Sequence, residues 1–462
     1  MKLKMGRKAI AIGSAAVLGA GLLAGCGGSS SESTTAAASG STTAGTTQAA
    51  SSASGSSSSG EKVTVTFWDE NAGDQRTQYY EKLIEDFEAE NPNIHIEYLG
   101  LSSSDALSKY QTAITAGETP DVGGVNNAWF ATLQSMGHLV SLDDMLADSS
   151  ISSEMDQNYL SVIKNEAKDG KLYMMPTSAN FICLWTNDAL FEQAGLEAPT
   201  TWDEFFEDAD KLTDTANGVY GYTIRGGSSS PAILIDFIYS YLGITDVFDE
   251  DGNCTINSPE AVDFVTKYFS LYGKDTPESD ITAGYKEISA NFDSGVAAML
   301  THNLGSYSSH VTAFGGTTGF TCNPLPTASN GKYINNGSAI TGLAMFDTCE
   351  HKEEAWKWIE YMCSHEGNSY WNQSIGQLPT NTAAYEDSWI DDYQNIQTAI
   401  NTVSQSNCES YNIPMYLPEY GTINQTYIEP AIQSVMSGDM TAQEMLDLWA
   451  EKLTEAYNDY NS

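Results

Sequence analysis

The sequence predicts an α/β fold of two lobes, each a parallel sheet with helices packed on both faces. Three observations carry this. The chain has 462 residues, more than one core usually needs. Its folded part opens with a strand, helix, strand, helix, strand succession. A second succession of the same kind follows residue 188, and no repeat of about 20 to 50 residues offers a solenoid instead.

The N-terminus precedes any fold. Lys2, Lys4, Arg7 and Lys8 form a positive segment, the stretch from Ala9 to Leu23 is apolar, and small residues follow, the pattern of a secretory signal over residues 1–25. An uncleaved membrane anchor is the alternative, but about 17 residues rich in Gly and Ala are short for a hydrocarbon core about 30 Å thick. LAGC, Leu23 to Cys26, resembles the bacterial lipobox, and that resemblance implies lipidation at Cys26. Residues 26–60 are then the lipidated cysteine and a linker. From Gly27 on it is almost all Ser, Thr, Ala and Gly, which bury too little apolar surface to offset their ordering entropy. As a coil it holds the next domain on the order of 30 Å from its anchor.

The chain carries 20 basic and 61 acidic residues, and removing the leader leaves 16 basic residues and a net charge of −45. Such a surface repels nucleic acid and anionic lipid and slows capture of anionic ligands, so neutral or cationic partners fit better. Most of these carboxylates serve solubility. Beyond Cys26 there are cysteines at 183, 254, 322, 349, 363 and 408. An even number outside the membrane permits three disulfides, whereas long spacings and apolar contexts such as FICLW and YMCS suit buried free thiols equally.

The elements follow in order. KVTVTFW alternates as a strand, and YYEKLIEDFEAENP sets Tyr80, Leu83, Ile84 and Phe87 on one helical face before Asn91-Pro92 stops it. NIHIEYL is a second strand. A helix carrying Leu107, Tyr110 and Ile114 ends near Gly117, and PDVGGV is a third strand. In the second set, Thr201 and Glu204 form a capping box, YGYTI reads as a strand, and Ser258-Pro259 opens a helix with Val262, Val265 and Phe269 on one face. AAML at 297–300 is a short buried strand. EEAWKWIEYMCS is an amphipathic helix, as is TAQEMLDLWAEKLTEAYNDY, capped by Thr441 and Glu444 and using Leu446, Trp449, Leu453 and Tyr457.

In this order the segments resemble the extracellular solute-binding proteins of carbohydrate ABC importers, the family of the maltose-binding protein. The marks are an opening strand ending TFW, FEAENPNIHIEYL, TPDVGGVNNAWFATLQSMGHLVSLDDM, DGKLYMMPTSANFICLWTNDALFEQAGLEAPTTWDEF, DEDGNCTINSPEAVDFVTKY, FDSGVAAMLTHNLGSY and NGSAITGLAMFDTCEHKEEAWKWIEYMC. In that order they are spread through residues 62–372. The resemblance implies two doubly wound lobes of the type II periplasmic-binding class, joined by hinge segments around a cleft. Lobe 1 would hold residues 61–179 and 326–373, and lobe 2 residues 180–325 and 374–462. Pro176 to Asn180 would be the first crossing, NPLPTAS at 323–329 the return and IGQLPTN at 375–381 a third. Small residues and prolines there suit a hinge.

A pyranose offers an apolar C–H face for aromatic rings and a rim of hydroxyls for Asp, Glu, Asn and Arg. Trp68, Asp69 and Glu70 end the first strand, where open α/β sheets bind ligands, with Trp68 a cleft wall or a core residue. Asn126, Asn127 and Trp129 resemble a family loop that contacts sugar, and Asn126 also suits a helix N-cap. By the same resemblance Asn180 and Trp185 face the ligand, Asn303 lies in a ligand-contacting loop, and Gly337 and Ser338 match a position near the cleft. Ser306 and Tyr307 stand where the maltose-binding pattern has a Trp. Arg225 suits hydroxyls, a uronic carboxylate or a surface ion pair. Trp371 and Tyr416 are stacking platforms or core residues.

The expected protein is a monomeric, lipid-anchored receptor on the extracellular face of a Gram-positive-type cell, delivering a sugar or oligosaccharide to ABC permease subunits, with no cofactor, no metal and no catalytic residues. The alternatives are a secreted carbohydrate-active enzyme, a surface lectin or adhesin, and a receptor for another polar solute such as a polyamine. The enzyme has little support. With 61 acids accidental carboxylate pairs are inevitable, no H-E-x-x-H, G-x-S-x-G or P-loop pattern occurs, and the S-x-x-K at Ser161–Lys164 lacks its partner motifs.

Overall fold

The computed structural model describes residues 62–103, 105–336 and 340–462. The expected signal segment, Cys26 and linker lie outside these residues, as do Gly337 and Ser338. In chain order the strands are β1 (Val63–Asp69), β2 (Ile94–Gly100), β3 (Val122–Asn126), β4 (Met175–Ala179), β5 (Ile182–Asn187), β6 (Tyr220–Tyr222), β7 (Ala297–Asn303), β8 (Phe320–Pro324), β9 (Tyr333–Asn336), β10 (Ile340–Met345) and β11 (Cys408–Tyr411). They form one sheet of order β2-β1-β3-β10-β4, a second of order β6-β7-β5-β8, and a small pair β11-β9.

The first three strands are parallel, as their spacing by helices requires. The sheets are nonetheless mixed: β10 runs antiparallel to both β3 and β4, and β5 antiparallel to β7 and β8. Each exception involves a strand that enters from or leaves for the other lobe, so its direction is set by the crossing and not by a βαβ unit.

Period-two alternation turns Val65, Phe67 and Asp69 of β1 to one face. There Phe67 meets Tyr80 of the helix Asp74–Glu90 at 5.1 Å between ring centroids and Trp358 of the helix Lys352–Cys363 at 5.6 Å. The expected face of Tyr80, Leu83 and Phe87 is buried, and Asn91 closes the helix with its backbone N–H on the Phe87 carbonyl. The capping boxes at Thr201/Glu204 and Thr441/Glu444 are formed, and Ser258 Oγ accepts from Ala261 N at 3.2 Å.

Apolar packing does not stop at the lobe boundary. One cluster runs from the first sheet through Ala179, Phe181, Leu304 and Leu378 onto the Cys183, Trp185, Leu300 and Phe320 face of the second sheet. The opposite face, with Leu184, Tyr222 and Met299, packs against Trp202, Phe205, Ile235 and Trp449 in a separate cluster.

Pro176 to Ala179 lies inside β4, and β5 begins at Ile182, so the first crossing contracts to Asn180 and Phe181. Asn180 Oδ1 accepts from Phe181 N at 3.1 Å and from Leu304 N at 3.2 Å, tying the crossing to the end of β7. The return runs from β8 through β9 to β10. The segment expected as the third crossing remains bound to the first lobe. Ala179 and Leu378 exchange backbone hydrogen bonds at 2.9 and 3.0 Å, and the buried Asn368 side chain accepts from Thr380 N and Asn381 N. The chain joins the second lobe with the helix Gln394–Val403, where Gln394 pairs with the backbone of Cys322 on β8. The cysteines at 183, 254, 322, 349 and 363 are buried free thiols, and Cys408 is a half-buried one.

Candidate functional site: an interlobe cleft

The strand directions place the carboxyl ends of β1, β3 and β4 and those of β6 and β7 on the crossing side of their sheets. Ligands in open α/β sheets bind at such ends. A cavity of about 360 Å³ lies there between the lobes. Its first-lobe wall is Arg76 and Tyr79 with Gln373–Gln377, and its second-lobe wall is Leu304, Gly305, Tyr307 and Ser308 with Tyr393 and Asn395.

Arg76 connects this cavity to the end of β1. Its Nη2 is 3.5 Å from Asp69 Oδ1 and 3.7 Å from Glu70 Oε1. Asp69 is fully buried and also accepts from Tyr98 Oη and Asn71 N, each at 3.2 Å. Burial pushes the Glu70 carboxyl up to about 7, against the pull of Arg76 and with the help of the Asp69 charge. Glu70 lies so close to β3 that a Cβ on Gly124 would stand 2.4 Å from its Oε2. The Arg76 guanidinium lies 4.7 Å over the Trp371 ring, while its buried Nε has no hydrogen-bond partner. On the far wall Asn395 is 1% exposed, donates to the Leu304 carbonyl at 3.3 Å, and leaves Oδ1 without a partner. The cavity therefore brings together the guanidinium of Arg76, the amide of Asn395 and three tyrosines. Such a set hydrogen-bonds a polyhydroxylated ligand while its rings cover apolar C–H surface.

The expected site residues are distributed unevenly around this cavity. Asp69 and Glu70 hold Arg76. Asn303 Oδ1 accepts from Gly305 N at 3.1 Å and shapes the turn that enters the far wall. Trp371 is 1% exposed, with Arg76 on one side, Tyr80 at 4.3 Å, and Nε1 donating to Ser178 Oγ at 2.9 Å. It supports the floor from below and does not present a platform. Trp185 is fully buried against His310 at 4.7 Å and Phe320 at 5.9 Å, because β5 is covered on both faces. Trp68 points to the opposite face of β1 from Asp69 and packs on Tyr110 at 5.6 Å with Lys109 Nζ 5.0 Å over its ring, along an outer groove. Trp129 is half-buried beside the same Tyr110 at 5.8 Å.

Asn126 ends β3 with a buried, unpartnered Oδ1 and makes no side-chain cap. Asn127 is buried, accepting from Ile340 N at 3.2 Å and donating to Glu166 Oε1 at 3.1 Å, which makes it a tie between β10 and the helix Gln157–Glu166. Arg225 Nε donates to the Ser228 carbonyl at 2.7 Å, and burial lowers its pKa below the usual arginine value. Tyr416 packs on Tyr460 of the C-terminal helix at 5.4 Å.

A model of the bacterial extracellular solute-binding protein family matches residues 73–369. The chain belongs to that family. A putative binding protein of Brucella abortus is 27% identical over 321 residues, which are 69% of this chain and 75% of that one. The maltodextrin-binding protein of Bacillus subtilis is 24% identical over 393 residues, 82% of this chain and 88% of the relative. Among solved structures, the GacH receptor of Streptomyces glaucescens, crystallised unliganded and with acarbose, superposes with a TM-score of 0.69 at 22% identity, covering 86% of this chain and 99% of the receptor.

In this solute-binding protein the matched span contains Arg76, Tyr79 and the wall residues from Leu304 to Ser308, whereas Trp371, Gln373–Gln377, Tyr393 and Asn395 lie beyond it. Sequence reasoning missed Arg76, Tyr79, Tyr307, Tyr393 and Asn395 as wall residues. One signal was present for Arg76: a cation in the first turn of a helix opposes the macrodipole and needs carboxylates nearby to hold it, which the preceding Asp69-Glu70 supply. Among the described residues no helix is long and apolar enough to cross a membrane, and no group of three or more His, Cys, Asp or Glu is placed to hold a metal.

Proposed function

We propose that the protein is the lipid-anchored receptor subunit of an ABC importer, which encloses a neutral sugar or oligosaccharide between its lobes and passes it unaltered to a permease. The observation that carries this is the interlobe cavity itself, at the carboxyl ends of both sheets, with Arg76 balanced by Asp69 and Glu70 and three tyrosines around it. With both carboxylates facing its single cation, the floor is a poor host for an anion. A maltodextrin-binding relative and an acarbose-binding structural neighbour favour a glycan among neutral solutes. Closure is a population shift: contacts to ligand from both walls exist together only when the lobes approach, so ligand favours the closed form that a permease recognises. Anchoring through Cys26 and the 26–60 linker keeps the receptor beside the membrane.

The test is a thermal-shift screen of the chain from Cys26 onward, carrying Cys26→Ser, against glucose, maltose, maltotriose, cellobiose, xylobiose and raffinose, with spermidine and a tripeptide as controls. A ligand at 100 times its dissociation constant adds about 2.7 kcal/mol, enough for a clear rise in Tm. The expected result is a selective sugar hit with the sugar recovered intact. Hydrolysed sugar would transfer the protein to the enzymes, and a response to spermidine alone would overturn the carbohydrate assignment.

A further inference from the structure

The loop that follows β6, Thr223 to Ser229, reaches the carboxyl edge of the second sheet and borders a separate cavity of about 270 Å³, lined by Ser228, Ser229 and Pro231 on one side and Asn424, Gln425 and Glu429 on the other. Its shape is not a relaxed one. Ser229 is a non-glycine residue at φ 63°, in the left-handed region that L side chains rarely adopt. Such a conformation persists only when its surroundings over-determine it.

Those surroundings converge on one buried carboxyl group. Asp280 Oδ2 accepts from Ile224 N at 2.7 Å and from Thr223 Oγ1 at 3.0 Å, and Oδ1 accepts from Asn291 Nδ2 at 3.1 Å. Asn291 Nδ2 also donates to Thr223 Oγ1 at 3.1 Å. The backbone of the same segment continues the seam: Gly226 N donates to the Asp280 carbonyl at 3.0 Å and Gly227 N to the Ala283 carbonyl at 2.9 Å. The approach is so close that a Cβ on Gly226 would stand 2.5 Å from the Asp280 carbonyl oxygen, and one on Gly227 2.4 Å from that of Thr282. At the far end of the loop Ser229 N donates to Glu429 Oε2 at 3.2 Å.

We infer that Asp280 is a positioning residue, whose carboxylate and carbonyl together form a pH-sensitive clamp on the loop from Thr223 to Ser229, holding its shape at the carboxyl edge of the second sheet. The carboxylate accepts from Ile224 N, Thr223 Oγ1 and Asn291 Nδ2 at once, whereas a protonated carboxyl turns one oxygen into a donor. Burial pushes the Asp280 carboxyl up to about 7, against those hydrogen bonds, so the clamp is complete above that pH and loosens below it. The titratable groups acting on it are the phenols of Tyr222 on β6, Tyr268 on the helix Pro259–Phe269 and Tyr272 after that helix. All three titrate above the usual phenol value because of burial and stay neutral across this window. Arg225 and Glu429 engage the loop itself, through Ser228 and Ser229.

The experiment is amide hydrogen exchange on the ligand-free chain, corrected for intrinsic rate, between about pH 5.5 and 8.5, for wild type, Asp280→Asn and Asp280→Ala. Asp280→Ala is expected to speed exchange at Ile224, Gly226 and Gly227 about tenfold while β5 and β7 stay protected. In wild type, protection of these amides should fall as pH drops below 7, and in Asp280→Asn it should not vary with pH. Wild-type exchange in Asp280→Ala, or the same pH profile in Asp280→Asn, overturns the clamp.

Discussion

Arg76 is half-buried and Glu166 buried, and the surroundings of these two ionisable side chains of the first lobe ask opposite things of them. Arg76 has two carboxylates within 4 Å and an aromatic face beneath it, so its charge is supported where ligand arrives. Removing it leaves Asp69 and Glu70 uncompensated, so Arg76→Met should raise the dissociation constant for the screened sugar and lower Tm together. Glu166 has one hydrogen bond, from Asn127, and an Oε2 with no partner, and burial raises its pKa well above the usual carboxylate range. A group whose folded pKa is raised contributes stability that is fully present below its unfolded value of about 4.3 and is lost as pH climbs through the folded one. Glu166→Gln, which mimics the neutral acid, should therefore match wild type near pH 4 and exceed it at pH 8, the gap widening by up to about 1.4 kcal/mol per pH unit between the two pKa values. Urea unfolding at both pH values checks this, and an equal or less stable variant at pH 8 would show that the buried acid is ionised and satisfied.

At the scale of elements, the capping boxes, the helix of Tyr80, Leu83 and Phe87, and the parallel start of the first sheet were legible because each depends on neighbours in sequence. What was not legible depends on neighbours in space. Alternation showed that Trp68 and Asp69 would face opposite ways but not which face the cleft would use, and it gave no reason to bury Trp185. The resemblance placed the first crossing within a few residues, while the third lies later because Asn368, remote in sequence, holds Thr380 and Asn381 on the first lobe. The crossing at Asn180 yields a sharp prediction. Its Oδ1 accepts the backbone N–H of Phe181 in the crossing and that of Leu304 at the end of β7; Leu304 N keeps a second acceptor in the Phe181 carbonyl at 3.2 Å, so removing the amide orphans the Phe181 donor, at a cost of about 1 to 3 kcal/mol. Asn180→Ala should lower Tm by several degrees in calorimetry, whereas Asn180→Asp, which keeps the acceptor, should stay close to wild type. Equal loss in both would mean that the amide nitrogen, not the oxygen, carries the tie.

For the whole molecule the dominant property is charge: 20 basic residues against 61 acidic ones, in a protein whose described ion pairs are mostly exposed. Self-repulsion on this scale opposes compactness, and salt relieves it, since the screening length falls from about 30 Å at 0.01 M to about 10 Å at 0.1 M. Tm of the ligand-free protein should therefore rise over that range of NaCl. The same field sorts ligands. A polyamine is drawn to a negative surface by a long-range attraction that salt removes, so its affinity should fall steeply between 0.01 and about 0.3 M NaCl. A neutral oligosaccharide feels no such pull, and the contacts proposed for it, to Arg76 and the tyrosine rings, would act at a few ångströms inside a partly enclosed cavity, where screening is weak. Titration calorimetry of one bound sugar across that salt range should give a dissociation constant constant to within about twofold, a change under roughly 0.5 kcal/mol. A tenfold weakening would mean that the ligand is held by net charge, and would favour a cationic solute over a glycan as what this cleft is built to take.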